Sequence, residues 1–564
     1  MKKFFLFLGL SFFSYLTSIS FWELSPDFAK SVLSKMSLRE KVGQLIIPSA
    51  VSYDSDIDKK MIERLITEYK IGGIMFMYGS PQRQIKLVNH YQNLSNIPLL
   101  ISQDCEWGFA MRLKNAIAFP KNLTMGALSP EDDNLIKLVG QEIGRQSLLL
   151  GVNVCFAPVA DVNNNPKNPI IGIRSFGEDP SLVAKKALLF MKGLQSCGVM
   201  ACAKHFPGHG NVSKNSHDVL PIVTSSFEEL KKIEFYPFKK LFEAGICSTM
   251  IAHLLVPALD KDLPASLSSK IVTDLLVEKM GFKGLIFTDG LKMGAVSNSY
   301  DSANLALKAF LAGNDMFLFC DNFLFAFGEA HSQETFDQAS KAIEALENII
   351  SGSRDLEVAL DKKVLKVLLA KQSLGLFEDK FVDENVSDDE FNSIQAKHLK
   401  QKIFDKAVTL VSNEDDLIDL KKVTNKKLGV VFIGADNKST LSRCLFDYGI
   451  KAQYFVNQDS FSIKNVMNFL KRKTTVIVPV CLAGRYNNDF SVITDKVLDL
   501  FKEFREKNKK VLLILFGTPY ALKFFSNERN VLVAYENEPE SVNSVLKILL
   551  GGMKPKGRLP VSSF

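Results

Sequence analysis

The sequence predicts an α/β protein in two parts, a (β/α)8 TIM-type barrel followed by a doubly wound α/β sandwich domain. Three observations carry this. Eight short apolar runs alternate with helical segments up to Cys320, the order that an eight-fold barrel requires. Polar residues close five successive runs at the same end, where such barrels carry their active sites. After an acidic stretch, six further runs alternate with helices, the pattern of a doubly wound sheet.

The chain opens on a different kind of segment. Met1-Lys2-Lys3 is positive, Phe4 to Phe13 is apolar apart from Ser11, and Ser18-Ile19-Ser20 offers small residues. Residues 1–20 therefore read as a signal peptide. An uncleaved N-terminal anchor is the alternative, because the apolar character continues to Trp22. No later stretch is apolar for long enough to span a bilayer, so the expected protein is exported, periplasmic or secreted, and touches a membrane only through that anchor.

The eight runs are Val42–Ser49, Gly72–Met77, Pro98–Asp104, Val152–Asp161, Val199–Phe206, Cys247–His253, Gly284–Asp289 and Asp315–Cys320. An open doubly wound sheet would show the same alternation. Between them Glu131–Leu150, Ser181–Ser196, Phe227–Ala244 and Ser269–Met280 are amphipathic helices. The third starts on a capping box, Ser226 with Glu229. The runs end on Asp104, Asp161, Lys204-His205, His253 and Asp289. Loops favour Gly, Asn and Pro over such residues, which points to a site.

Two helical stretches, Glu329–Ile350 and Asp355–Gln372, complete a catalytic barrel domain over residues 21–376. Residues 377–403, including the acidic Glu378–Asn392, read as a linker. The second domain, 404–564, has its runs at Ala407–Val411, Leu428–Ile433, Ala452–Val456, Thr475–Val480, Val511–Phe516 and Val531–Tyr535, with Ile493–Lys507 as one of its helices. It has neither G-x-G-x-x-G nor a Walker A loop, so nucleotide binding has no support.

Composition narrows the function. The 564 residues are 46% hydrophobic and 23% charged, with Gly 33 and Pro 20, which excludes disorder, collagen and coiled coil. Lys+Arg 69 against Asp+Glu 62 leaves +7, a mild excess, with no basic block dense enough for a nucleic-acid groove. The eight cysteines form no CxxC pair, so neither a zinc knuckle nor a disulfide framework is indicated.

Four segments carry candidate chemistry. Lys204-His205-Phe206-Pro207-Gly208-His209-Gly210, followed by Asn215-Ser216-His217-Asp218, suits the positioning of polar groups over a pocket. A metal held by His205, His209 and His217 is one reading, although no carboxylate or Cys ligand stands at a matching spacing. In Gly284-Leu285-Ile286-Phe287-Thr288-Asp289-Gly290-Leu291-Lys292-Met293 an apolar strand delivers one carboxylate to the mouth. Asp289 there can be a nucleophile, a metal ligand or a helix N-cap. Asp104-Cys105-Glu106-Trp107-Gly108 with Arg112, and Arg174 to Pro180, set carboxylates and arginines beside a Trp, a mixture suited to a hydroxyl-rich ligand.

Together these segments resemble the β-N-acetylglucosaminidases of glycoside hydrolase family 3. The resemblance rests on KHFPGHG at 204–210, NSH at 215–217, IGIRSFGEDP at 171–180, DCEWGFAMR at 104–112 and GFKGLIFTDGLKMGAV at 281–296. AVTLVSNEDDLIDL at 407–420 and GRLPVS at 557–562 look like the opening and close of the family's following α/β domain. The resemblance implies that Asp289 is the nucleophile and His217 the general acid/base. Asp104, Arg112, Arg174, Lys204 and His205 would hold the sugar. It implies a retaining, two-step β-N-acetylhexosaminidase acting on N-acetylglucosamine-containing glycans or muropeptides, with no metal or organic cofactor. Histidine suits the acid/base role, since an unperturbed imidazole titrates near pH 6.5, within about a unit of working pH.

Two departures stand out. The family usually has Asp where this chain has Asn215, so the amide would orient His217 without lending it charge. Trp107-Gly108-Phe109-Ala110 replaces the more usual Gly-Gly-Arg-Val. The rival readings are a family β-glucosidase or xylosidase and a sugar-binding protein weakened in catalysis by Asn215.

Overall fold

The computed structural model describes residues 21–320, 329–420, 425–436, 438–456, 461–482 and 489–562. The expected signal segment, residues 1–20, lies outside them. The chain divides into two compact units. One takes in Met1–Ala118, Ile136–Asp161 and Ala187–Ser393, the other Phe119–Leu135, Val162–Lys186 and Ile394–Phe564.

The first unit is the barrel. Its strands are β1 (Ile46–Ser52), β2 (Gly73–Gly79), β3 (Leu100–Gln103), β4 (Val154–Cys155), β5 (Met200–Phe206), β6 (Ser248–Ile251), β7 (Leu285–Thr288) and β8 (Phe317–Phe319). Neighbours pair in parallel in the order β7-β6-β5-β4-β3-β2-β1-β8. A Phe287–Met316 bridge brings β7 against β8, with Thr288 N–H donating to Met316 O at 3.1 Å. The sheet thus comes round on itself and the open-sheet alternative falls away. Ile47, Met75, Leu100, Val154, Met200, Met250, Leu285 and Leu318 fill its core, the side-chain packing of a solid barrel rather than a pore.

Every one of the eight runs contains a strand, with two differences in extent. β1 begins four residues late, because Leu38–Gly43 is a helix held by a Ser37–Glu40 capping box. β4 is two residues long because Pro158 follows and has no N–H for a ladder. Of the helices, Asn134–Leu150 and Pro180–Gln195 match expectation. The predicted Phe227–Ala244 helix is two, Phe227–Lys232 and Phe235–Glu243, since Pro237 cannot donate back to the turn before it. Its Ser226–Glu229 capping box forms. Lys270–Lys279 is wound as a π-helix.

The second unit holds β9 (Thr409–Asn413), β10 (Leu428–Ile433), β11 (Gln453–Val456), β12 (Thr475–Cys481), β13 (Lys510–Phe516) and β14 (Asn530–Val533). Their order is β11-β10-β12-β13-β14-β9. Five strands are parallel and β9 lies antiparallel to β14 at one edge, so the sheet is mixed where the run pattern suggested a wholly parallel one. Side chains within the unit tie its separate segments together. Glu536, just past β14, accepts from Lys121 N–H at 2.9 Å and Thr124 Oγ1 at 2.6 Å, and Tyr520 donates to Asn163 O at 2.8 Å.

Candidate active site

The C-terminal ends of the barrel strands carry the predicted residues. Asp104 follows β3 directly and is buried. Its carboxylate bonds Arg112 Nη2 on one oxygen and Lys204 Nζ, at 2.6 Å, on the other. Burial alone would raise the Asp104 pKa, but the Lys204 ammonium and Arg112 guanidinium outweigh it and hold the carboxyl far below the usual range. Lys204 also meets Glu106 at 2.8 Å, and Arg112 Nη1 donates to Tyr78 Oη at 2.7 Å. Two acids and two bases therefore lock one another in place, which presents rigid donors and acceptors to a hydroxylated ligand.

Lys204 and His205 lie in the last three residues of β5, and Asp161 reaches them from beyond β4. Ala160 N–H donates to Lys204 O at 2.7 Å, which sets Asp161 beneath the β5 end. Asp161 accepts from His205 N–H at 3.2 Å on each oxygen and from His209 N–H at 2.6 Å. His205 Nδ1 lies 2.7 Å from Asp161 Oδ2. Burial opposes charge on Asp161, but His205 and these hydrogen bonds prevail and lower its pKa. The imidazole therefore gives its Nδ1–H to a carboxylate, which fixes the orientation of the ring.

Asp289 follows β7 and is half-buried. Its N–H donates to Ile251 O at 2.9 Å, and its Oδ1 accepts from Gly290 N–H at 2.8 Å. Burial raises its pKa, yet His205, the Gly290 N–H and His217 together lower it, which favours the carboxylate form. His253, at the end of β6, donates Nε2–H to Gly290 O at 2.9 Å and accepts at Nδ1 from Ser266 at 2.6 Å. Burial lowers its pKa, so it stays neutral and fixes the turn behind Asp289.

The His217 turn docks on the residues just after Asp289. Gly294 N–H donates to His217 O at 3.0 Å and Ala295 N–H to Ser216 O at 3.2 Å. A Cβ on Gly294 would lie 2.8 Å from His217 O, so glycine permits the approach. Ser216 Oγ meets His209 Nε2 at 3.0 Å, and burial pushes the His209 pKa down to about 4. His205, His209 and His217 thus engage a carboxylate, a hydroxyl and a turn. Among the described residues no three of His, Cys, Asp and Glu converge as a metal site.

Arg174 belongs to the second unit, in the segment Val162–Lys186. It is buried there, with Nη1 donating to Ile170 O at 3.2 Å and its own carbonyl accepting from Asn122 Nδ2 at 2.6 Å.

The family model for the Glycosyl hydrolase family 3 N terminal domain matches residues 37–369. This chain belongs to glycosyl hydrolase family 3. It is similar to a family 3 β-N-acetylglucosaminidase structure from Paenibacillus sp. str. FPU-7, with a TM-score of 0.75 and 26% identity, covering 94% of this chain and 99% of that one. Beta-hexosaminidase A of Pseudoalteromonas piscicida is 33% identical over 280 residues, 46% of this chain and 47% of that protein. A beta-N-acetylglucosaminidase/beta-glucosidase of Cellulomonas fimi is 29% identical over 359 residues, 62% of this chain and 60% of that protein. The matches to these two relatives therefore span only about half of their lengths.

As a family 3 barrel, the chain shows features that its motifs alone left unread. Glu106, Tyr78, Asp161, His209 and His253 support the mouth; the motif segments contain Glu106 and His209 and the run ends mark Asp161 and His253, while nothing in the sequence signals Tyr78. Asn215 is a correction. Its Oδ1 accepts the His217 backbone N–H at 3.1 Å and its Nδ2 donates to Asp218 Oδ2 at 3.0 Å, so the amide braces the turn instead of taking a proton from the imidazole. Phe109, where the motif usually has Arg, is fully buried.

Proposed function

We propose that this family 3 chain is an exported, retaining β-N-acetylhexosaminidase that removes β-linked N-acetylglucosamine from cell-wall or glycan fragments. The observation that carries the reading is the pairing of an ionised carboxylate with a histidine turn: Asp289 directly follows β7, and the His217 turn is hydrogen-bonded to the backbone five residues beyond it. In the first step Asp289 attacks the anomeric carbon while His217 gives a proton to the leaving oxygen, forming a glycosyl ester. In the second, His217 takes a proton from water, which displaces Asp289 and returns the sugar with its configuration retained. Asp104, Arg112, Lys204 and His205 bind the sugar hydroxyls. For Arg174 a part in sugar binding rests on its match to the family motif alone. Similarity to the Paenibacillus enzyme and to beta-hexosaminidase A supports the N-acetyl sugar. The positive, apolar character of residues 1–20 supports export.

The test is nitrophenol release from the β-N-acetylglucosaminide and the β-glucoside by purified protein. The N-acetyl substrate alone should be cleaved, with kcat falling by about 10⁴-fold or more in Asp289→Ala. Cleavage of the glucoside alone would overturn the substrate assignment. Silence on both, with N-acetylglucosamine still bound, would make the chain a sugar-binding protein.

A further inference from the structure

One end of the second unit's sheet carries a basic surface that the glycosidase chemistry does not use. In a parallel sheet all strands start at the same edge, about 4.8 Å apart. Here Lys451 precedes β11, Lys426 and Lys427 precede β10, Lys471, Arg472 and Lys473 precede β12, and Lys510 opens β13. These residues are scattered through the sequence and meet only because the sheet order is β11-β10-β12-β13.

The two halves of that edge differ. Toward β14 and β9 the charges are matched: Arg529 meets Glu414 at 2.7 Å and Asp415 at 3.8 Å, and Lys510 meets Asp415 at 3.9 Å. Toward β11 they are not. Lys473 donates to Lys426 O at 3.1 Å and Thr474 N–H to Lys427 O at 2.9 Å, which stitches the two turns together. Lys426, Lys427, Lys451, Lys471 and Arg472 are exposed, and among the described residues none of them pairs with a carboxylate. Beside them the helix Thr440–Asp447 ends with Phe446 52% exposed and is followed by Tyr448 57% exposed. Solvent-facing aromatics next to a row of unmatched cations form an amphipathic surface.

We propose that this edge is a docking surface for an anionic phospholipid bilayer. Charge complementarity supplies the attraction, since each Lys or Arg held near an anionic leaflet contributes about a fivefold factor in partition. The aromatics choose the lipid over a soluble polyanion. Tyr448 combines an apolar ring with a polar tip, the amphipathic form that sits at a headgroup interface. The Phe446 ring has the Lys451 ammonium 5.5 Å from its centroid, so that face is not open for stacking on a base. The strand starts also form an edge rather than a groove.

The experiment is flotation of the full chain with phosphatidylcholine vesicles, with and without phosphatidylglycerol. The protein should float with the anionic vesicles, and binding should be lost on raising salt from about 0.1 M to about 1 M, which shortens the screening length from about 10 Å to about 3 Å. Lys427→Gln with Arg472→Gln should lower partition about 25-fold while nitrophenol release stays unchanged. Tyr448→Trp adds an indole to the two already at Trp22 and Trp107; brominated lipid should quench the added fluorescence. Equal binding to neutral vesicles, binding unaffected by the double variant, or no quenching at position 448 would each overturn the proposal. Retention by polyphosphate or an oligonucleotide without flotation would overturn it in favour of a soluble polyanion.

Discussion

Asp161 is the residue on which the mouth of the barrel most depends. One buried carboxylate accepts two backbone N–H groups and the His205 imidazole, and His209 passes its hold on to Ser216, next to His217. Asp161→Asn puts an amide NH2 against one of those donors and should lower kcat/KM by about 10²- to 10³-fold. A double-mutant cycle separates the causes: if Asp161 acts by orienting His205, its replacement should add little in a His205→Ala background, whereas a purely structural role would add in full. Asn215 poses the opposite question. Its amide donates to Asp218, so Asn215→Asp sets two carboxylates face to face. We expect the single variant to gain less than about 10-fold in kcat and Asn215→Asp with Asp218→Asn to gain more, within the roughly 10⁴-fold that such a charge is worth in a Ser-His-Asp enzyme. Equal rates in both variants would show that Asp218 does not oppose the change. The depressed Asp289 pKa adds a pH expectation. Asp289 stays ionised as pH falls through the ordinary Asp value near 3.9, so if it is the nucleophile the acid limb of kcat/KM should lie below it; a limb well above would mean that Asp289 is not the group titrating. Asp104, Lys204, His205 and Asp289 were legible in the sequence because each closes an apolar run. The work of Asp161 was not, because its partners lie 44 and 48 positions away and meet it only through the register of β4 and β5.

At the scale of elements, alternation revealed the eight strands, and local chemistry decided where each one ends. Pro158 shortens β4 and Pro237 divides a helix, both effects of a missing N–H. The Ser226–Glu229 box was readable because its partners are three residues apart, and so was the Ser37–Glu40 box, although the end of the helix that it opens, Val42 and Gly43, reads as the start of a strand run. The helix Arg354–Ser373 holds something that no pattern announces. Lys371 is fully buried, with Gln44 Oε1 as its hydrogen-bond partner, and burial drives its pKa down to about 7. In the unfolded chain it would titrate near 10.4. Between those values the unfolded state holds a proton that the fold has shed, so stability rises with pH over that window and the cost is full below it. Lys371→Met should therefore raise the unfolding free energy at neutral pH by about 1–3 kcal/mol, seen as a higher urea midpoint, and flatten its slope between about pH 7 and 10. A lower midpoint at every pH would contradict this.

The molecule as a whole is two units whose segments interleave along the chain. Residues 119–135 and 162–186 sit between barrel strands in sequence yet group with the second unit, where Glu536 and Tyr520 hold them. Run patterns report what a segment is, not what it packs on, so this membership was invisible in the sequence. The basic sheet edge escaped notice for the same reason, since its cations come from separate strand starts. The motifs were far more telling, because a site needs fixed residue types at fixed spacings. The central claim is that Asp289 becomes covalently glycosylated. It is tested most directly by acid-quenching the enzyme during turnover of the nitrophenyl N-acetyl-β-glucosaminide and mapping the peptides by mass. One N-acetylglucosaminyl group on Asp289, longer-lived in a His217→Ala variant, is the predicted result. Turnover with no adduct on Asp289, or with the adduct on another residue, would contradict it.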